Sequence, residues 1–298
     1  MILVTGASGY IGQAFLADTR VRGEVVIAAG RYQVPSEKTR VFDLECPETF
    51  EAALQGVHTV VHLAGLGHGL AQRDGDYAKI NADATKGFMA AAVNSGVRRF
   101  VLLSSMNVVP TSAGDPALRA ELFPEPADPY SASKWQAELA LNAVLAGTAC
   151  QGLIVRAALT HDQDLHANLA SLQQWVRFLP VALPKTGART LVSRFDLAAL
   201  LGYCATAPTS KLQPGIWAAT DGQIYDSRRI GAALGAGSWV LPEALWWLAA
   251  HCRDAITGLR LGSTWSSLAG ARWAGQAQPV PEWSPTTSLE TCLGSACD

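Results

Sequence analysis

Tyr130 and Lys134 bound the run YSASK, a spacing that on a helix places both side chains on one face, one turn apart. An ammonium so placed favours the phenolate over a phenol that ordinarily titrates near 10. That is the condition for a tyrosine to exchange a proton at neutral pH. Ser105, 25 residues upstream, adds a hydroxyl that could orient the oxygen on which the proton moves. Taken alone, the Tyr/Lys pair is more often what a surface helix carries by chance, so its meaning depends on the rest of the chain.

The elements that must hold these groups can be read around them. Asp128 suits an N-cap and Pro129 the first helical position, and Trp135, Leu139 and Leu141 give the following helix apolar positions. Strand-like apolar runs fall at 2–4, 25–29, 59–63, 100–103 and 153–155, with a further strand ending at Val41 and Phe42. Helix-compatible stretches occupy 13–19, 49–54, 82–95 and 130–145. Val/Ile/Leu-rich strands without polar alternation belong to a parallel sheet covered on both faces. The alternation predicts an α/β, Rossmann-type doubly wound sheet. Beyond residue 160 the pattern loosens: Pro180, Pro184, Pro208, Pro214 and Pro242 interrupt it, and the tail from Gln276 is rich in Pro and Ser. The expected division is a dinucleotide-binding domain over 1–160 and a smaller substrate-binding lobe over 161–298, interleaved with the first and covering the sheet's carboxyl edge.

The run TGASGYIG, from Thr5 to Gly12, follows the first strand and opens a helix. A dinucleotide loop needs a tight turn at Gly6, room for pyrophosphate at Gly9 and close helix packing at Gly12, with the helix N-terminus facing the phosphates. At the end of the second strand, Gly30–Arg31 stands where NAD binders carry an acid for the ribose hydroxyl. Arg31 therefore tips the cofactor choice from NAD towards NADP, through a guanidinium for the 2′-phosphate, or else stacks on adenine with either cofactor. Asp43 and Leu44 are placed for the adenine.

Bulk properties narrow the class. The 298 residues can bury a sizeable core, and a net charge of −2 argues against nucleic acid or an acidic membrane surface as general partners. The six cysteines, at 46, 150, 204, 252, 292 and 297, show no metal-ligand spacing and read as reduced, buried thiols, with 292 and 297 able to pair if oxidised. No metal is expected. No leader is expected ahead of the first strand and no apolar run is long enough to span a membrane, so a cytoplasmic location is expected. The segment 241–250, with Trp246 and Trp247, reads as a core helix or subunit interface, with membrane-surface contact as the alternative. His62, at a strand end, reads as a core histidine. His161, Asp162, Asp164 and His166 crowd one segment without regular spacing, which reads as a solvated loop.

The glycine loop, VVHLAG (60–65), Asn81, LLSS (102–105) and YSASK, in that order, resemble the extended short-chain dehydrogenase/reductase superfamily and its NAD-dependent epimerase/dehydratase family. More narrowly, the chain resembles bacterial nucleotide-sugar 4-epimerases and 4-keto-6-deoxy-sugar reductases of polysaccharide biosynthesis. That likeness is carried by His68, the Ala137–Glu138 pair in SKWQAE, Asn168 in HANL, Leu179–Pro180 ahead of Arg189, RFDLAAL (194–200), and Thr220–Asp221–Gly222.

The resemblance implies Tyr130 as acid/base, Lys134 as its modulator and nicotinamide-ribose ligand, and Ser105 as the orienting hydroxyl. It puts Gly6, Ser8, Gly9, Tyr10, Ile11 and Gly12 along the pyrophosphate, and Leu63, Ala64 and Gly65 further along the cofactor. Asn168 and Arg189 fall where the family holds the sugar nucleotide, and His68 near a sugar hydroxyl. Arg189 could equally be a surface charge without a ligand. A homodimer through two long helices is the family arrangement. Met106–Asn107 replaces the Asp–Glu pair of dehydratases, which disfavours elimination, while Val109–Pro110, Arg156–Ala157 and Thr160–His161 depart from the usual pairs along the sugar pocket. The expected reaction is hydride transfer at C4 of a nucleotide-diphosphate sugar. The alternatives are reduction of a non-sugar carbonyl or a non-catalytic dinucleotide sensor.

Overall fold

The apolar runs pair as one parallel sheet because each presents alternate side chains to two cores. In the computed structural model, β1 (Ile2–Thr5), β2 (Val26–Gly30), β3 (Thr39–Val41), β4 (Thr59–His62), β5 (Arg99–Ser105), β6 (Gln151–Ala157) and β10 (Gly215–Ala219) lie in the order β10-β6-β5-β4-β1-β2-β3. Ile2 stands beside Val26 on one side and Thr59 on the other, and every ladder is parallel. Residues 1–18, 23–32, 38–68, 71–73, 75–179, 181–256, 265–275 and 277–294 are described by the structure; Thr19, Pro180, Gln276 and Cys297 lie outside them.

On one face Val4, Val61, Val101 and Val155 pack with Phe15 of α1 (Tyr10–Ala17) and Leu197 and Leu201 of α6 (Arg194–Thr206). On the other, Leu3, Val60, Phe100 and Ile154 meet Phe50 of α2 (Phe50–Leu54), Phe88 of α3 (Thr85–Asn94) and Leu141 of α4 (Pro129–Leu145). The sheet therefore takes its seventh strand and one covering helix from beyond residue 160.

Helix ends follow local chemistry. Asp128 caps α4, accepting from the Ser131 N–H at 2.9 Å, with Pro129 in the first turn. Arg99 donates to the carbonyls of Cys204 and Ala207 at 3.1 and 2.7 Å, placing a cation on the C-terminus of α6. The helix expected over 82–95 starts earlier, as a π-helix over Ala78–Ala84 that passes into α3.

The rest of the chain forms the smaller lobe: α5 (Ala167–Phe178), α7 (Ser227–Ala233), α8 (Glu243–Ile256), α9 (Trp265–Ala269) and α10 (Leu289–Gly294), with two ribbons. β7 (Leu159–His161) pairs with β9 (Leu191–Ser193), and β8 (Val181–Ala182) with β11 (Trp239–Val240). Trp175, Trp246 and Trp265 pack ring against ring in its core. Of the solvated loop expected over 161–166, Asp164 and His166 are exposed, whereas β7 pairing covers His161 and Asp162 is buried in an ion pair with Arg194 at 2.9 Å. Both ring nitrogens of His161 lack a partner among the described residues. No described helix is long and apolar enough to cross a membrane.

One polar network is sealed inside the sheet–helix interface. Glu138 of α4 and Arg156 of β6 are both fully buried and paired through two N–H···O bonds of 2.6 and 3.0 Å. The Ser104 hydroxyl donates to the same carboxylate at 2.5 Å, and Arg156 also donates to the carbonyls of Pro116 and Leu118. Removing one charge strands the other, a loss of about 3–5 kcal/mol. Glu138→Ala should lower stability in urea denaturation by that amount, and a change within about 1 kcal/mol would show the pair to be dispensable.

Candidate active site

At the carboxyl edge of β1 the chain turns back sharply. Gly6 adopts φ +69°, and a Cβ there would stand 2.7 Å from the Ala64 amide nitrogen. A Cβ on Gly12 would lie 2.3 Å from the Gly6 carbonyl oxygen, so α1 packs as close to the loop as glycine allows. Gly9 caps α1 with no side chain filling the cap, which leaves the helix N-terminus open to an anion.

The loop after β4 is clasped from the π-helix. Buried Asn81 accepts from the Leu66 N–H at 2.7 Å and donates to the Leu66 carbonyl and the Ser133 hydroxyl at 3.0 and 3.2 Å. Gly65 lies at φ +148° with its missing Cβ only 2.7 Å from the Asn81 Oδ1. His62 is a satisfied core residue, bridging the hydroxyls of Thr5 and Thr85 at 2.8 and 3.1 Å. Burial, with the Lys134 charge adding to it, pushes its pKa down to about 3.

Ser105 ends β5, and Tyr130 and Lys134 lie one turn apart at the start of α4. All three line one cleft of about 500 Å³ together with Gly6, Gly9, Tyr10, Ile11, Gly12, Leu63 and Gly65. His68 and Tyr77 pack edge-on to the Tyr130 ring, with centroids 5.0 and 5.6 Å away. Burial pushes the phenol up to about 12, outweighing the Ser105 hydroxyl that hydrogen-bonds to it. Burial brings the Lys134 amine down to about 8, against the opposing pull of Glu138. The lowering of the phenol expected from Lys134 is not seen in this arrangement. The ammonium donates to the Leu103 carbonyl at 3.1 Å, and it is not among the charges that shift Tyr130.

The opposite wall comes from the second lobe. Arg189 lines the cleft but is buried, its guanidinium donating to the carbonyls of Leu268 and Gly270 at 3.0 and 2.7 Å. Arg272, which sequence reading passed over, also lines the cleft and has no hydrogen bond or ion pair from its side chain to the described residues. Its charge joins burial in lowering Arg189 to about 10, and it also acts on His68, whose pKa falls mainly through burial. The signal that could have found Arg272 is a cation beside Trp273, another cleft residue, in a stretch otherwise short of charge. Asn168 sits in the first turn of α5, and its side chain lies outside the described residues.

Five expected cofactor residues stand off the cleft lining. Ser8 is exposed at the loop tip and Arg31 at the bend after β2, and Ala64 backs Gly6. Asp43 accepts from the Glu45 N–H at 3.0 Å, and Leu44 is buried in the core with Phe42 and Phe50.

Comparison with known proteins places this geometry. Residues 2–160 match the NAD dependent epimerase/dehydratase family. The chain belongs to that family. It is 28% identical over 262 residues to the UDP-glucose 4-epimerase of Vibrio cholerae, covering 82% of this chain and 79% of that one. Its fold is shared with MoeE5, solved with UDP-glucuronic acid and NAD, at a TM-score of 0.74 and 22% identity over 98% of this chain and 96% of that one. The Thermus thermophilus UDP-glucose 4-epimerase, solved with NAD, gives 0.69 at 18% identity over 98% and 97%.

For a family whose cofactor is NAD, the loop has the right fit. The cradle that a Cβ at Gly6 or Gly12 would fill, the open N-terminus of α1 and the cleft lined by Ser105, Tyr130 and Lys134 are continuous. Among the described residues no cluster of His, Cys, Asp and Glu could hold a metal ion. The depressed amine can be checked directly by trace acetylation of the free protein. Lys134 should gain reactivity as pH rises through about 8, since only the neutral amine attacks; a rise only near 10, as for an ordinary lysine, would contradict the burial described here.

Proposed function

We propose that this chain is an NAD(P)-dependent enzyme that acts at C4 of a nucleotide-diphosphate sugar, as a 4-epimerase. The observation that carries the reading is the meeting of the glycine cradle, Ser105, Tyr130 and Lys134 in one cleft whose far wall bears arginines. The likeness to UDP-glucose 4-epimerase over most of the chain supports the sugar class.

Bound in the cleft, the dinucleotide would supply a hydride acceptor and donor at its nicotinamide. Gly6, Gly9 and Gly12 would line its pyrophosphate, and Lys134 would hold the nicotinamide ribose. Tyr130 takes the proton from the C4 hydroxyl as that carbon is oxidised and returns it when the carbon is reduced. Ser105 donates to the same oxygen and holds it against the phenol. A phenol near 12 is protonated at neutral pH, so the resting site stands ready to donate, and accepting a proton requires a cation that favours the phenolate. On the far wall, Arg272 has the free guanidinium for a diphosphate, while Arg189 braces the backbone on which that wall is built.

A second reading, a reductase using NADPH, is favoured by Arg31, which stands exposed after β2 where an acid would favour NAD. Fluorescence titration with NADH and NADPH separates the two. Tighter NADPH binding, lost in Arg31→Ala, supports the reductase, and NADH binding at least as tight removes the argument from Arg31.

Tyr130→Phe should cut turnover of UDP-glucose or UDP-N-acetylglucosamine by about 10²–10⁴-fold while dinucleotide binding stays within a small factor. Product NMR on the same samples reads inversion at C4, and undiminished turnover would take Tyr130 out of the mechanism.

A further inference from the structure

We propose that the outer face of the second lobe docks on an anionic lipid surface, as an interfacial contact without a span. Twelve large apolar side chains stand exposed among the described residues, and five of them gather here: Phe178 at the end of α5, Trp239 and Val240 of β11, and Leu245 and Leu248 of α8. The fold brings these segments side by side. Trp239 and Val240 pair with Val181 and Ala182 of β8, Phe178 precedes β8 by three residues, and α8 begins three residues after Val240. Trp246 and Ala250 of α8 are buried against the lobe. Leu245, Leu248 and Cys252, at the i, i+3, i+7 spacing of one helix face, are turned outwards. A helix that is apolar on both sides needs cover on both, and a contiguous exposed patch of this kind marks an interaction site.

The character of the face selects its occupant. Trp239 is 79% exposed and Phe178 85%, so both rings project from the surface and do not line a groove. A second copy of the chain would have to offer a recess to each of them. A bilayer interface accepts projecting aromatic and aliphatic side chains with no matching shape, and tryptophan is enriched at that depth. The charges complement anionic headgroups. Arg177 and Lys185 are exposed beside the patch with no ion-pair partner among the described residues, against one acid, Glu243, at the start of α8. Basic residues so placed add attraction to an acidic leaflet within a Debye length. The chain's overall net charge of −2 does not oppose this, because the local surplus is what a nearby surface feels.

The test is co-sedimentation of the full chain with vesicles of phosphatidylcholine alone and of phosphatidylcholine mixed with phosphatidylglycerol. Binding to the mixed vesicles, with a blue shift of tryptophan emission and partial weakening by salt, is the expected result. The double variant Trp239→Ser/Leu248→Glu should lose at least about tenfold in partition, because two of the five apolar side chains of the face no longer enter the interface. Arg177→Glu/Lys185→Glu should abolish the preference for the anionic mixture. Circular dichroism and NADH titration, unchanged in both variants, would show that the fold and cleft are intact. The proposal is overturned if the wild-type chain ignores both vesicle types. It is overturned equally if light scattering finds a dimer that the first double variant splits while no vesicle binding occurs, which assigns the face to a second copy.

Discussion

Two opposite charges with no access to water sit where the sheet, α4 and the 116–123 segment converge, and the geometry of the cleft is built around them. Burying Glu138 and Arg156 is costly, and a well-packed apolar pair of similar volume would commonly be as stable. What the ion pair supplies is direction. A planar guanidinium meeting a carboxylate through two bonds fixes the rotation of α4 about its own axis relative to β6. Ser104, bonded to the same carboxylate, precedes Ser105, and Glu138 lies one turn beyond Lys134. Ser105, Tyr130 and Lys134, which line the cleft, are thus indexed to one buried contact, and the Phe123 ring lies beneath Arg156.

The cofactor half was legible because its demands fall on residue types with few alternatives. Gly6 and Gly12 stand where any Cβ would collide with backbone, and Asp128–Pro129 starts a helix by local hydrogen bonding alone. The π-helix was not legible. Ala78–Ala84 reads as ordinary helix, and the wider turn appears only once Asn81 reaches the backbone of Leu66. Spacing also set Lys134 one turn from Tyr130 correctly, yet it could not say where a long, flexible amine would find its acceptor. In the fold, that acceptor is the Leu103 carbonyl.

The second lobe resisted reading for a different reason. Its strands run two or three residues, too short to show a period, and they pair across gaps that no local pattern encodes. His161 looked like part of a polar loop because its burial depends on β9, thirty residues away. Sequence singled out Arg189 and passed over Arg272, but it could not say which of them carries an unengaged guanidinium. Tertiary structure separates them, tying the first to the carbonyls of Leu268 and Gly270 and leaving the second free at the cleft.

The path of the chain through the sheet bears on how such enzymes can diversify. After β6 the chain leaves to build part of the lobe, returns as α6 and β10 to finish the sheet, and then leaves again. On the way back Arg194 lies over the Tyr10 ring of the glycine loop, and Asp196 accepts from the backbone and side chain of Thr286 and the backbone of Thr287. The second lobe is therefore stitched into the parallel sheet at two seams. A single recombination crossover near residue 160 would import a foreign edge strand along with any new pocket. New substrate preferences in this architecture are accordingly easier to reach by piecemeal substitution along the cleft wall than by exchange of a whole module.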